Sequence, residues 1–312
     1  MVADLADRPC GRVARLRLEE DTMRAHARST VSRRQVLATL AAGAVSGVRG
    51  TAQGAGWGVQ LYTVREQITR DPAGTLKQIA AIGYRELEVL QPTLTTIAPI
   101  ALPLGLALTS VHLDDATAKG EGFDAFLGDA RRLGLQYVVV ASIPRDERTT
   151  DRARFDATVA RLSRMSRAAA AAGLQLCYHN HAFEFGQDRD GTRWLDVLMH
   201  GTADAGLQLE LDVFWASFAG TDPVTVLEQY KKRVSLVHLK DRNPNGRISV
   251  TDAASPNDFV EVGSGALDFP AILAAARQAG IRHYFVEQDE TPGDPLDSLR
   301  RSYGYLTAMP KR

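Results

Sequence analysis

From Gly58 onward, short runs rich in Val, Leu and Tyr alternate with stretches whose apolar residues recur at helical spacing. The runs 58–64, 84–90, 106–113, 136–143, 174–179, 207–213, 234–239 and 283–287 have the length and composition of strands. Between and after them the pattern predicts helices over 71–83, 95–104, 123–133, 152–172, 194–199, 222–232, 269–279 and 295–306, and a long loop over 241–265. Asp71-Pro72 and Asp222-Pro223 each supply a cap followed by a proline in the first turn, and Gly83, Gly134, Gly173 and Gly280 stand where helices should stop. Strand and helix alternating in this way imply a parallel sheet. Eight such units in roughly 250 residues predict an α/β fold, a single (β/α)8 TIM barrel over 56–312. The rival, a doubly wound open sheet, would need a glycine-rich turn after the first strand, and there is none.

The front of the chain follows a different pattern. Residues 1–52 carry nine arginines against five acids. Within them, Ser32-Arg33-Arg34-Gln35-Val36-Leu37 is a twin-arginine pattern, followed by a small-residue apolar stretch to Val48. That stretch falls short of the ~20 apolar residues a stable span requires. Basic lead, short apolar segment and small residues before Trp57 predict an export signal over 1–55 that engages the twin-arginine export machinery, with the mature chain starting near 53–56 and located in the periplasm. Gly50-Thr51-Ala52 is one cleavage site and Ala55 another; Met23, as well as Met1, is a candidate start.

Charge and cysteine content narrow the classes. The 312 residues hold 37 basic and 37 acidic side chains, so the clustered excess base that nucleic-acid binding requires is missing. The 2 cysteines, Cys10 and Cys177, cannot build a disulfide scaffold or a cysteine zinc module, and cleavage would leave Cys177 alone.

Barrel chemistry sits at the C-terminal ends of the strands, and ionisable residues collect there. The second strand ends Glu86-Leu87-Glu88, and the third His112-Leu113-Asp114. The fifth ends Tyr178-His179-Asn180-His181, with Glu184 just beyond. The sixth ends Glu210-Leu211-Asp212, the seventh His238-Leu239-Lys240-Asp241 and the eighth Glu287-Gln288-Asp289-Glu290. Four of the 7 histidines (112, 179, 181 and 238) lie at these ends. Strand parity puts Cys177, His179 and His181 on one face, Glu210 with Asp212, and His238 with Lys240. Charged groups converging on a barrel mouth need a partner, and one divalent cation fits mixed imidazole and carboxylate donors; Mn, Zn, Co, Fe and Mg all suit.

These segments, with Gly58-Val59-Gln60-Leu61-Tyr62-Thr63-Val64-Arg65, Tyr178-His179-Asn180-His181-Ala182-Phe183-Glu184-Phe185, Glu210-Leu211-Asp212-Val213-Phe214-Trp215, Val237-His238-Leu239-Lys240-Asp241, Val262-Gly263-Ser264-Gly265 and Val286-Glu287-Gln288-Asp289, resemble the sugar phosphate isomerase/epimerase family, the xylose-isomerase-like TIM barrels that include endonuclease IV. The resemblance covers about residues 57–308. It implies one divalent ion held by Asp212, His238, Glu287 and, where many members have Glu-Asn-His, by His179, with His181 as the near alternative. It implies proton abstraction α to a carbonyl of a sugar or keto-sugar, with Glu287 or His181 as base, Lys240 on a substrate oxygen, and Glu184 and Glu88 orienting ligands or hydroxyls. Glu88, His112, Trp215 and Tyr62 are the expected substrate contacts, with Trp57 and Phe214 as further aromatic candidates.

The imidazole at the strand-five position departs from two-glutamate epimerases and resembles subfamilies acting on 3-keto-glycosides as lyases or hydratases. An endonuclease-like activity is disfavoured, because the loop after Asp212 reads Val213-Phe214-Trp215 without the further histidine. A non-catalytic sugar-binding barrel is the alternative from another class; it would lack the ion.

Overall fold

A computed structural model of the chain describes residues 56–145 and 147–310. The twin-arginine pattern, its cleavage sites and the leader over 1–55 lie outside these residues.

Eight parallel strands close on themselves: β1 (Gly58–Gln60), β2 (Glu86–Leu90), β3 (Ala107–His112), β4 (Tyr137–Val140), β5 (Gln175–His179), β6 (Gln208–Asp212), β7 (Val234–Leu239) and β8 (His283–Val286). β1 pairs with β2 on one side and β8 on the other, with Gly58 opposite both Glu86 and Phe285, so no edge is left open. This is the predicted TIM barrel. Helices cover the outside: α1 (Arg65–Arg70), α2 (Pro72–Ile82), α3 (Leu94–Ala101), α4 (Asp115–Ala118), α5 (Phe123–Arg132), α6 (Arg152–Ala171), α7 (Trp194–Gly201), α8 (Val213–Phe218), α9 (Pro223–Gln229), α10 (Phe269–Gln278) and α11 (Pro295–Ala308). Aspartates start most of them by accepting amides of the first turn: Asp71 for α2, Asp114 for α4, Asp151 for α6, Asp212 for α8, Asp222 for α9, Asp268 for α10 and Asp294 for α11. Among the described residues no helix is long and apolar enough to cross a membrane.

Strand parity sorts the side chains as a barrel requires. Leu87, Val89, Val111, Val138, Val140, Leu176, Leu209, Leu211, Val237 and Leu239 are buried in the layer shared with the helices. The alternate positions Val139, Cys177, Leu236 and Phe285 form a separate apolar plug. Above that plug the same parity delivers polar residues, so the strands carry hydrophobic support below and chemistry above.

The predicted loop 241–265 is more ordered than its sequence suggests. Asp241–Arg242 pairs antiparallel with Phe259–Val260. The buried Asp241 carboxylate accepts the amides of Arg242, Gly263, Gly265 and Leu267. Gly263 has φ +89°, and a Cβ there would overlap the Tyr305 ring. Gly263→Ala is therefore expected to cost roughly 2–3 kcal/mol, read as a lower denaturation midpoint with an unchanged slope. A loss under ~0.5 kcal/mol would show that this turn relaxes freely.

Candidate active site at the barrel mouth

At the C-terminal rim, side chains from β2, β3 and β5–β8 meet across the barrel axis. Glu88 on β2 reaches His238 on β7 (Oε2–Nε2 2.5 Å), and His112 on β3 reaches Glu210 on β6 (Nε2–Oε2 2.8 Å). Such contacts between non-adjacent strands are possible only through the interior.

Two groups of ion-binding donors emerge, sharing His238. Asp212, His238 and Glu287 form one; His112, His179, Glu210 and His238 form the other. His238 Nδ1 lies 2.8 Å from Glu287 Oε2 and 4.0 Å from Asp212 Oδ2. His179 joins the first group at its edge, with Nε2 3.5 Å from Asp212 Oδ2. Lys240 stands beside these carboxylates: its Nζ is 3.0 Å from Asp212 Oδ2, 2.7 Å from Glu287 Oε2 and 2.6 Å from Asp289 Oδ1.

Donor chemistry and unspent valence both fit a divalent cation. Imidazole and carboxylate donors mix within one cluster, as Zn²⁺, Mn²⁺ or Fe²⁺ prefer. Asp212 Oδ2 is buried and accepts no hydrogen bond, its contact with Lys240 being ionic rather than directed. Glu210 Oε1 and His181 Nδ1 are likewise buried without partners. Orphaned acceptors in an interior are costly unless something binds them.

Burial and neighbours set the protonation states. Burial pushes the Asp212 carboxyl up to about 6, Lys240 and His238 offsetting part of that. At Glu287 burial acts in the same direction, but Lys240 and then His238 outweigh it and hold the carboxyl well below the usual range. Burial would discharge Lys240, yet Asp212, Asp289 and Glu287 keep it firmly cationic. Burial lowers His181 to about 4, so its imidazole is neutral at physiological pH. His112 is raised to about 9: Glu88 and Glu210 overcome the effect of burial.

The fifth-strand motif has a local logic. Asn180 clips β5 to β6, accepting the Asp212 amide at 3.0 Å and donating to the Asp212 carbonyl at 3.3 Å. Asp212 also caps α8 through the Trp215 amide. His181 stacks obliquely on Trp215, with ring centroids 5.1 Å apart. Its amide donates to Glu184 Oε2 at 2.9 Å, and the Tyr178 hydroxyl donates to Glu184 Oε1. From the ordered loop, Asp252 accepts the Ala182 and Phe183 amides and pairs with Arg148.

The expected site residues thus occupy distinct places. Asp212, His238, Glu287 and Lys240 converge; His179 abuts them, and His181 and Trp215 line the adjacent wall. Trp215 Nε1 is buried without a partner. Tyr62, half-buried at the rim, carries Arg65 over its ring. Glu184, expected in the catalytic set, is fully buried behind His181 with its oxygens taken. Glu88 is also fully buried, bonded to Gln60, Ser110, His112 and His238, and so supports the cluster from below. His112 is buried with its Nε2 committed to Glu88 and Glu210.

Two aromatic expectations are corrected. Trp57 precedes β1, at the end opposite the mouth, and packs edge-on against Tyr284. Phe214 is fully buried and stacks on Phe259 at 4.3 Å. Helix α8, absent from the sequence expectation, turns it away. Sequence pattern alone gives no role to Glu210, Asp289, Asn180 or Asp252, which the structure places in or around the cluster. Glu210 had a signal, because it shares strand parity with Asp212; Asp252 had none, because it comes from an aperiodic loop.

Burial first, and then Asp252, raise the Glu184 carboxyl to about 8. The folded chain therefore retains a proton that an unfolded glutamate, near 4.5, would release. Stability from this group is complete below about pH 4.5 and declines as pH rises toward 8. Glu184→Gln is expected to flatten the fall in Tm between pH 5 and 8 by several degrees relative to the parent. Parallel pH–Tm curves would sink this assignment.

The sequence pattern of the family described as xylose isomerase-like TIM barrel matches residues 68–309. Inosose dehydratase from Clostridium botulinum (strain Alaska E43 / Type E3) is 28% identical over 155 residues, which is 46% of this chain and 51% of that protein. The chain thus spans about half the length of the curated relatives it matches. A sugar phosphate isomerase/epimerase from Parabacteroides distasonis superposes with TM-score 0.68 and 25% identity, covering 86% of this chain and 99% of that one. The IOLI protein, solved with a bound zinc atom, superposes with TM-score 0.62 and 15% identity, covering 81% and 98%.

Proposed function

The chain belongs to the xylose isomerase-like TIM barrel family, and from that premise we propose a divalent-metal-dependent enzyme that removes a proton α to a carbonyl of a sugar or keto-sugar. The observation that carries the reading is the convergence of Asp212, His238 and Glu287, with His179 at their edge and an Asp212 oxygen that accepts no hydrogen bond. These four residues would hold the ion. When bound, the ion would supply Lewis-acid polarisation of the carbonyl oxygen.

The protein's own groups divide the remaining work. His181, neutral and with a buried unpartnered nitrogen, is the better base. Glu287 is held too acidic by Lys240 and His238 for that task. Lys240, fixed in its charge, stabilises negative charge growing on a substrate oxygen. Trp215 packs against the His181 ring, and Glu184 holds the His181 backbone in place.

Returning the proton to carbon gives isomerisation or epimerisation; expelling a hydroxyl or glycosyl oxygen gives a dehydratase or lyase. The second outcome is favoured by one specific feature: the fifth-strand position carries an imidazole, so two opposed glutamates are not available to swap a proton across the ring. Similarity to inosose dehydratases supports the same outcome. Arg33-Arg34 supports export of the folded enzyme to the periplasm.

The test combines elemental analysis with assays on free, 3-keto and phosphorylated sugars and inososes in D₂O. Deuterium at the α carbon, or loss of water or aglycone, with one ion per chain is expected. Protein purified with ample metal but carrying no ion would overturn the reading.

A further inference from the structure

Glu210 is fully buried, and its Oε2 is approached by three imidazoles: His112 Nε2 at 2.8 Å, His179 Nδ1 at 3.1 Å and His238 Nε2 at 3.4 Å. The opposite nitrogens of two of these rings look the other way. His179 Nε2 faces Asp212 Oδ2 at 3.5 Å, and His238 Nδ1 faces Glu287 Oε2 at 2.8 Å. An imidazole that commits its N–H to a carboxylate on one side presents a lone pair on the other.

The backbone is shaped around this contact. Of the eight strand pairings in the barrel, two break register, one between Leu87 and Glu88 and one between Leu209 and Glu210. Bulges re-aim the side chains beside them. Both irregularities therefore fall at the two carboxylates that lie beneath the imidazoles. The two-residue period then sets Asp212 about 6.6 Å further along the same strand and on the same face, so β6 supplies a group on each side of the histidines. Glu210 has no exposure to solvent, so it cannot meet a substrate directly. Its other oxygen, Oε1, is buried and unpartnered, a burden with no evident structural return except what Oε2 does.

We propose that Glu210 is a positioning residue: it fixes the ring orientation and tautomer of His179, turning its Nε2 toward Asp212, and shares with Glu88 the hold on His238 Nε2 that leaves Nδ1 facing Glu287, so that both free nitrogens could serve an ion. This rests on the reading of His179, Asp212, His238 and Glu287 as ion ligands. At His238 the nearer partner is Glu88, whose Oε2 lies 2.5 Å from the same Nε2 that Glu210 approaches at 3.4 Å. In Glu210→Gln the amide would offer an N–H donor to His179 Nδ1, while Glu88 still faces the Nε2 of His238 and His112. That favours the opposite tautomer of His179, with a hydrogen where the ion needs a lone pair.

The experiment measures Zn²⁺ affinity of the full-length protein by competition with a chromophoric chelator, together with imidazole ¹⁵N shifts of the ion-free protein. Glu210→Gln is expected to lose 10- to 100-fold in affinity while still binding one ion, and to move the His179 nitrogens toward the Nε2–H tautomer. Glu210→Asp, which keeps the charge, is expected to lose less and provides a second variant if the amide does not fold. X-ray absorption of the zinc form should count two imidazoles. Unchanged affinity and tautomer in a variant whose parent binds zinc would overturn the positioning role alone. Three imidazoles in the shell, with binding abolished in Glu210→Gln, would make Glu210 a ligand with His112, His179 and His238 and overturn it too. A parent protein that binds no zinc would remove the ion reading itself, and this inference with it.

Discussion

Asp212→Asn is expected to lose the ion and the turnover together while leaving the fold intact. The substitution separates two jobs that one carboxylate performs. Oδ1 caps helix α8 through the Trp215 amide, and an amide oxygen serves that purpose nearly as well. Oδ2 faces His179 Nε2, His238 Nδ1 and Lys240 Nζ and accepts no hydrogen bond, which is the posture of a ligand. An amide there removes a negative charge and replaces an acceptor oxygen with a donor nitrogen. Ion affinity should fall at least ~100-fold and kcat/KM at least ~1000-fold, about 4 kcal/mol of transition-state stabilisation. Tm should stay within a few degrees. Elemental analysis, steady-state kinetics and a melting curve on one preparation check all three. A sugar-binding barrel without catalysis would behave differently: its ligand affinity would survive the change. Full activity with an intact ion would sink the ligand assignment.

The barrel was legible because its signals are local. Strand-length apolar runs, Asp-Pro starts such as 71–72 and 222–223 and glycine stops all depend on a few neighbouring residues. Helix α8 was not legible: Val213-Phe214-Trp215-Ala216 reads as the continuation of a strand, and only the Asp212 cap turns the chain into a helix there. The register breaks at Glu88 and Glu210 also leave no local trace, because a bulge is defined by the partner strand.

Within the site, parity identified which residues share the interior, but not how deep each lies. Glu88 and Glu184 read as rim residues by their spacing, yet both are closed off by what packs above them. Depth depends on strand stagger and on groups such as Ser110, Gln60 and Tyr178 that come from elsewhere in the chain. Long-range capture by Asp252, which accepts two amides of the fifth-strand loop 69–70 positions away, is invisible to any periodicity argument.

His181→Gln should abolish proton abstraction while sparing the ion, and so separates the base from the ligands. His181 lies outside both groups of ion-binding donors, and its Nδ1 has no partner. Glutamine retains a polar side chain of similar reach but cannot take up a proton near neutral pH. The Glu184 bond to the residue-181 amide does not depend on the side chain, so the loop should keep its path. A loss of 10²- to 10⁴-fold in kcat is expected, with KM and zinc affinity within a few-fold of the parent. Deuterium exchange at the substrate α carbon, which needs abstraction followed by return of a solvent deuteron to carbon, should fall in proportion, and where elimination follows abstraction the release of water or aglycone should fall with it. In the parent's kcat/KM profile the His181 step should come only as pH approaches 4, where the depressed imidazole finally takes a proton, below any fall near pH 6 from the Asp212 carboxyl. If exchange persists in His181→Gln and disappears in Glu287→Gln at preserved ion content, the base is Glu287. Its pairing with Lys240 and His238 would then have to loosen when substrate enters.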